Sequence, residues 1–209
     1  MTENNSFEQS LDTLMANGPD KKTYEEARLN LASRLDSEKQ DMIYFGEFNH
    51  QLIGNIKLAT RKERLVVVDF GAPLEEFMTH IERSFHLTPY YAPEAISESA
   101  KQIQAYLSGL RLGFDIKVDL SPLTPFQRQV LHATQEIQPG QVVTYSEIAK
   151  RIGNPKSVRA VGQALGRNPI PIVIPCHRVI AANGSLGGYS GGGGLDTKAK
   201  LLKLEGVML

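Results

Sequence analysis

Cys176 is the single cysteine of this 209-residue chain and lies in the run Ile174-Pro175-Cys176-His177-Arg178-Val179. A sulfur followed at once by an imidazole suggests nucleophilic chemistry. A thiol attacks as its thiolate, and a nearby His commonly takes the proton. The same residue types also fit an inert core thiol, since free Cys is among the most buried side chains. Adjacency itself poses a geometric problem. Neighbours on an extended strand point to opposite faces. Cys176 and His177 can cooperate only if the backbone turns, which Pro175 favours, or if a water links them.

A nucleophile–base pair needs a third group to orient the imidazole. Glu205 is the candidate. At 100° per residue it falls between Leu201 and Leu202, in the apolar arc of the last helix, with Lys200 and Lys203 on the far side. A carboxylate aimed inward requires a partner, because an unpaired buried charge is costly. Asn168 precedes Pro169 and could brace the turn beneath Cys176. The glycine-rich run 187–194 lets backbone approach a flat ligand closely. Its spacing is neither that of a dinucleotide fingerprint nor that of a phosphate-binding P-loop.

These residues must be carried by folded elements. Met42–Phe48, Gly54–Ala59 and Leu65–Phe70 read as strands, and Ile116–Leu120 as a further one. Leu74–Phe85 and Ala95–Leu107 read as helices. This α/β unit spans 41–121 and ends at the proline-rich Ser121-Pro122-Leu123-Thr124-Pro125. A mostly helical unit, 122–209, follows. Its helices are expected at Phe126–Glu136, Thr144–Arg151, Ser157–Gly166 and from Asp196 to about Glu205. Thr144 with Glu147 three residues on forms a capping box. Ile170–Ile174 reads as a short extended run. Residues 1–40 read as a helical extension, with Tyr24, Ala27, Leu31 and Leu35 at helical spacing.

The helices at 144–151 and 157–166, joined by Gly153-Asn154-Pro155, make a candidate helix-turn-helix. On the second helix Val158, Val161 and Leu165 share one arc, the face expected to pack. Arg159, Gln163, Arg167 and the small Ala160 fall opposite. That face is slim and basic, suited to phosphates and a groove. Net charge supports the reading. Residues 125–209 carry ten Lys/Arg against four Asp/Glu, +6, and residues 1–124 carry thirteen against nineteen, −6. A basic half suggests a polyanionic partner.

Composition excludes several classes. A single cysteine cannot form an internal disulfide or a cysteine-rich zinc site. No apolar run approaches the ~20 residues that span a bilayer, and the first ten residues lack a signal-peptide core. These features predict a soluble cytoplasmic protein with no metal, no cofactor and no membrane partner.

Taken together, the residues resemble the O6-alkylguanine-DNA alkyltransferases. The likeness covers about 42 to 206. It is carried by Phe126-Gln127, Thr144-Tyr145, Gly153-Asn154-Pro155-Lys156, Val158-Arg159-Ala160-Val161-Gly162, Asn168-Pro169, the Cys176 run, Tyr189-Ser190-Gly191-Gly192 and Leu204-Glu205-Gly206. The resemblance implies a small ribonuclease-H-like α/β domain followed by a helical domain with a helix-turn-helix. It implies single-use repair of double-stranded DNA by a monomer that could bind cooperatively. Cys176 would capture the alkyl carbon of a flipped O6-alkylguanine. His177, through a water and oriented by Glu205, would take the thiol proton. Tyr145 would bond the guanine and supply a proton to it, and Asn168 would hold the active-site turn. Arg159 would fill the space left by the flipped nucleotide. Ala160, Gly162, Gln163, Arg167 and Thr144 would meet DNA, and Pro175, Tyr189, Ser190 and Gly191 would line the alkylguanine pocket.

The chain departs from the family pattern in four places. Gln163 stands where many members have a small residue, Gly166 where an Arg is frequent, the glycine loop is about two residues longer, and the cysteines of zinc-bearing relatives are missing. Three rivals follow from the same residues. A non-catalytic lesion-binding relative would replace the nucleophile, which Cys176 does not. An alkylation-sensing DNA-binding regulator would carry added DNA-binding or metal-binding parts, which 1–40 does not offer. A cysteine hydrolase would need an oxyanion hole.

Overall fold

The computed structural model describes residues 42–208. The expected extension at 1–40 lies outside the described residues. Strand β1 (Ile43–His50) pairs antiparallel with β2 (Gly54–Arg61) along its whole length, and β2 pairs antiparallel with β3 (Arg64–Phe70). Lys62 and Glu63 join β2 to β3 with φ of 51° and 58°. Positive φ at both turn positions gives a hairpin turn whose twist matches that of its strands. A short strand missed by the sequence reading, β4 (Pro89–Tyr91), runs parallel beside β1, so the sheet order is β3-β2-β1-β4. The strand expected at 116–120 is not one. Val118 makes an isolated bridge to Leu65, held by two backbone bonds.

Both faces of the sheet are covered. Helix α1 (Leu74–Phe85) buries Phe77 and Ile81 against Ile43, Phe45 and Val66. Helix α2 (Ser97–Leu107), preceded by a 3-10 turn at Pro93–Ile96, brings Ile103 and Tyr106 to the other face, with Ile56, Leu58 and Phe70. A strand buried on both faces reads as a continuous apolar run, which explains Leu65-Val66-Val67-Val68.

The main core continues without a break into the second half through Val130, Leu131, Ile148, Val161, Leu165 and Leu201. Helix α3 (Pro125–Gln135) begins at Thr124, which forms a capping box with Gln127. Helix α4 (Tyr145–Arg151) begins at Thr144, whose hydroxyl accepts from the Glu147 N–H at 3.2 Å while Glu147 accepts from the Thr144 N–H at 2.7 Å. Helix α5 (Val158–Leu165) follows the turn at Gly153. Two-residue strands β5 (Val143–Thr144) and β6 (Val179–Ile180) pair in parallel and tie α4 to the segment after Cys176. Helix α6 (Gly194–Leu204) closes the fold.

Candidate active site

The segment before Cys176 is not the extended run expected. Ile170 to Ile174 folds back on itself, with the Ile174 N–H donating to the Ile170 carbonyl at 2.9 Å. Ile172 sits at φ 75° in this turn and is fully buried. A β-branched residue at positive φ is strained, by about 1–3 kcal/mol for such conformations. Asn168 closes the turn from inside. Its Nδ2 donates to the Ile174 carbonyl at 2.9 Å, and its Oδ1 accepts from the Ile170 N–H at 3.0 Å.

Pro175 then caps a single 3-10 turn, Cys176–Arg178. At three residues per turn, successive side chains diverge by about 120° rather than by the 180° of a strand. Cys176 therefore faces a cavity and His177 faces the core. No direct hydrogen bond joins the two among the described residues.

His177 is fully buried, as is the Glu205 side chain. Its Nε2 lies 3.0 Å from Glu205 Oε1 and 3.3 Å from the Tyr106 hydroxyl. Tyr106 donates to the same carboxylate oxygen at 2.6 Å. Arg178 grips Glu205 with two parallel bonds, Nε to Oε2 at 2.9 Å and Nη2 to Oε1 at 2.7 Å. A second arm of Arg178 donates to the Ile137 carbonyl. Burial opposes the Glu205 charge, but the bonds from His177, Arg178 and Tyr106 hold its pKa down at about 2. Glu205 is thus a permanent acceptor at neutral pH. The hydrogen on the imidazole must then sit on Nε2, leaving a lone pair on Nδ1. That Nδ1 is buried and has no hydrogen-bond partner among the described residues.

Burial lowers the His177 pKa, against the opposing pull of Glu205, so the ring rests neutral. Burial raises the Cys176 thiol, although the Asn168 side chain, Lys198 and two backbone N–H groups pull the other way. The resting sulfur is therefore a thiol, and its proton must leave when a substrate arrives.

Cys176 is only 6% exposed, yet it opens onto a cavity of about 250 Å³ walled by Tyr145, Gly162, Leu165, Tyr189 and Ser190. Tyr145 begins α4, and burial pushes its phenol pKa up. Pro175 and Gly191, expected in this wall, are not in it. Pro175 is turned into the cap of the 3-10 turn, and Gly191 lies behind Tyr189 against the Phe70 ring. Gly162, expected on the nucleic-acid face, lines the cavity instead. Arg159, Gln163 and Arg167 are exposed, and Ala160 is half-buried beside them. The Thr144 hydroxyl is occupied by its capping bonds to Glu147 and by Ser146. Val158 was expected in the packed arc but is 38% exposed at the first turn of α5, while Ala164 packs in its stead.

Three site residues escaped the sequence reading. Arg178 stands in the Cys176 run, where nothing in the sequence marks its role. Tyr106 comes from α2, 99 positions before Glu205, and nothing local marks it. Lys198 is fully buried on α6, with Nζ donating to the carbonyls of Val179 at 2.6 Å and Gly188 at 3.3 Å. Burial lowers its pKa to about 8. Seven helical residues turn the chain through nearly two full turns, so Lys198 shares the face of Glu205. That spacing was a readable signal.

Comparison with known proteins gives a consistent result. The model of the 6-O-methylguanine DNA methyltransferase DNA-binding domain matches residues 125–207, and that of the ribonuclease-like domain of the same proteins matches 43–120. A methylated-DNA–protein-cysteine methyltransferase of Methanosarcina acetivorans is 54% identical over 114 residues, covering 54% of this chain and 70% of the relative. One from Mycolicibacterium paratuberculosis is 51% identical over 113 residues, covering 54% and 67%. Among solved structures, Mycobacterium tuberculosis OGT in complex with DNA superimposes with a TM-score of 0.67 at 38% identity, covering 78% of this chain and 92% of that one. The O6-methylguanine-DNA methyltransferase of Pyrococcus kodakaraensis superimposes at 0.56 with 25% identity, covering 79% and 100%.

Proposed function

We propose that this chain, which belongs to the 6-O-methylguanine DNA methyltransferase family, repairs alkylated DNA by moving the alkyl group irreversibly onto Cys176. The observation that carries the chemistry is the unpartnered Nδ1 of His177. Its ring is held neutral, its other nitrogen is bonded to a charged carboxylate, and Cys176 is the next residue.

The substrate is O6-alkylguanine in double-stranded DNA. A base inside a duplex must leave the stack to be reached, and the cavity beside α5 takes it. Arg159, exposed on α5, fills the gap it leaves in the duplex, and Arg167 and Gln163 meet the backbone and groove. The thiol proton passes to His177 Nδ1 through a bridging water. Glu205 steadies the imidazolium so formed. The sulfur lone pair forms the S–C bond as the C–O6 bond breaks, and that electron pair goes to the guanine. Tyr145, whose phenol stays protonated at neutral pH, donates to the departing base. The product is guanine restored in DNA and a thioether on Cys176. No group in the site offers a way to cleave that thioether, so each molecule acts once, as a monomer. A reducing cytoplasmic setting keeps the thiol free.

The test is Cys176→Ala. It retains binding to duplex DNA and transfers no labelled methyl from O6-methylguanine; transfer by this variant would overturn the assignment of the nucleophile.

A further inference from the structure

We infer that Phe70, at the end of β3 in the other half of the chain, is the positioning residue that sets the Tyr189 wall and so the size of alkyl group the cavity admits. The inference rests on reading that cavity as the alkylguanine site.

The glycine loop is seated on β3 at backbone contact. A Cβ on Gly192 would lie 1.8 Å from the Phe70 carbonyl oxygen. A Cβ on Gly71, at φ 108°, would lie 2.9 Å from the Gly192 Cα. Residues other than glycine cannot make this approach. The opposite side of the loop is pinned to α6, where the Thr197 hydroxyl donates to the Gly192 carbonyl at 2.6 Å. Between these two anchors the loop has one height available to it.

Tyr189 rides on that seat. Its ring centroid is 6.5 Å from that of Phe70. A Cβ on Gly191 would meet both rings at 2.6 Å, so Gly191 marks the space between them. Phe70 is fixed in the main core at 2% exposure. Tyr189 is half-buried, packs on that core and lines the cavity on its other side. Its hydroxyl is buried with no hydrogen-bond partner among the described residues, so none of them sets the ring's position through it. Contact with Phe70 and Gly191 does. Shrinking Phe70 lets the ring draw back and widens the cavity. Adding a methyl at Gly191 drives the ring toward the cavity, because Phe70 cannot yield.

The experiment compares the native chain with Phe70→Leu, Gly191→Ala and the double variant. Single-turnover transfer is measured from duplexes carrying O6-methylguanine or O6-benzylguanine, and thermal melting confirms that each variant is folded. Phe70→Leu should raise the benzyl-to-methyl rate ratio at least about tenfold, and Gly191→Ala should lower it by a similar factor, the low end of what one methylene in an apolar pocket is worth. Each single change should slow methyl transfer about tenfold. The double variant should recover to within about threefold of native, since the two changes share one contact. A ratio that moves less than about twofold in both single variants, or methyl-transfer losses that multiply in the double variant, would overturn the inference. Absence of a thioether on native Cys176 would overturn the functional reading and the inference with it. Native transfer with an unmoved ratio overturns the inference alone.

Discussion

At the residue scale, the chemistry depends on which nitrogen of His177 carries the hydrogen. Arg178 and Tyr106 keep Glu205 ionised, and an ionised carboxylate can only accept. The Nε2–H therefore points at Glu205 and the basic lone pair lies on Nδ1. Glu205→Gln removes the charge that steadies the imidazolium and leaves Arg178 buried without its counter-ion. Transfer by the folded variant should fall by about 10²–10⁴, the usual worth of a positioned base. Stability should fall by about 3–5 kcal/mol, as when one partner of a buried ion pair is removed. Single-turnover kinetics and denaturant melts check the two effects separately, and native-like transfer by the folded variant would contradict the tautomer argument. Part of this network was legible in the sequence. Glu205 declared itself by sitting in an apolar arc, and Lys198 carried the same signal by its spacing. Tyr106 did not, because an apolar-faced helix position with a hydroxyl looks like any core tyrosine until the tertiary fold brings α2 beneath α6.

At the element scale, the nucleophile is aimed by a turn rather than by a strand or helix. The prolines at 169, 171 and 175 looked like punctuation of an extended run. What they permit is a folded-back loop with Ile172 at positive φ, and a three-residue turn that splits the directions of Cys176 and His177. Local propensity does not reveal such a loop, because its conformation is imposed by Asn168 from within. Asn168→Ala orphans the Ile170 N–H and takes one of two bonds from the Ile174 carbonyl, which keeps the Cys176 N–H at 2.8 Å. A buried orphan costs about 1–3 kcal/mol, so the variant should melt several degrees lower and its transfer rate should fall with it. A variant that melts lower but transfers at the native rate would show that Asn168 serves stability alone. The regular elements were easier to read. Leu74–Phe85 was placed to the residue, since its apolar period and Pro73 act locally. Strand β4 was invisible, being three residues long and defined only by its pairing with β1.

At the scale of the whole molecule, one core runs through both halves, and the buried site titrates as part of it. His177 binds protons less readily in the folded chain than at its ordinary value of 6.5, and Glu205 less readily than at 4.5. In both windows the unfolded chain holds more protons than the native one, so stability falls as pH falls. The loss begins below 6.5 as His177 opposes charging. It deepens between 4.5 and about 2 as Glu205 is forced to protonate. Melting temperature recorded from neutral to about pH 3 should drop in these two stages, and the Glu205→Gln variant should lose the lower one. A flat profile across this range would contradict the buried charge arrangement. The division between an acidic first part, residues 1–124, and a basic helical part, 125–209, was readable from charge counts. The continuity of their packing was not, because contacts between distant segments leave no periodic mark on either.

The central claim is that Cys176 accepts one alkyl group from DNA and keeps it. Mass spectrometry of the full chain after mixing with an excess of duplex containing O6-methylguanine tests this directly. The expected result is one added methyl per chain, located on the peptide bearing Cys176, with no further transfer however much substrate is supplied. A methyl on another residue, repeated turnover, or an unmodified Cys176 with the lesion intact would contradict it.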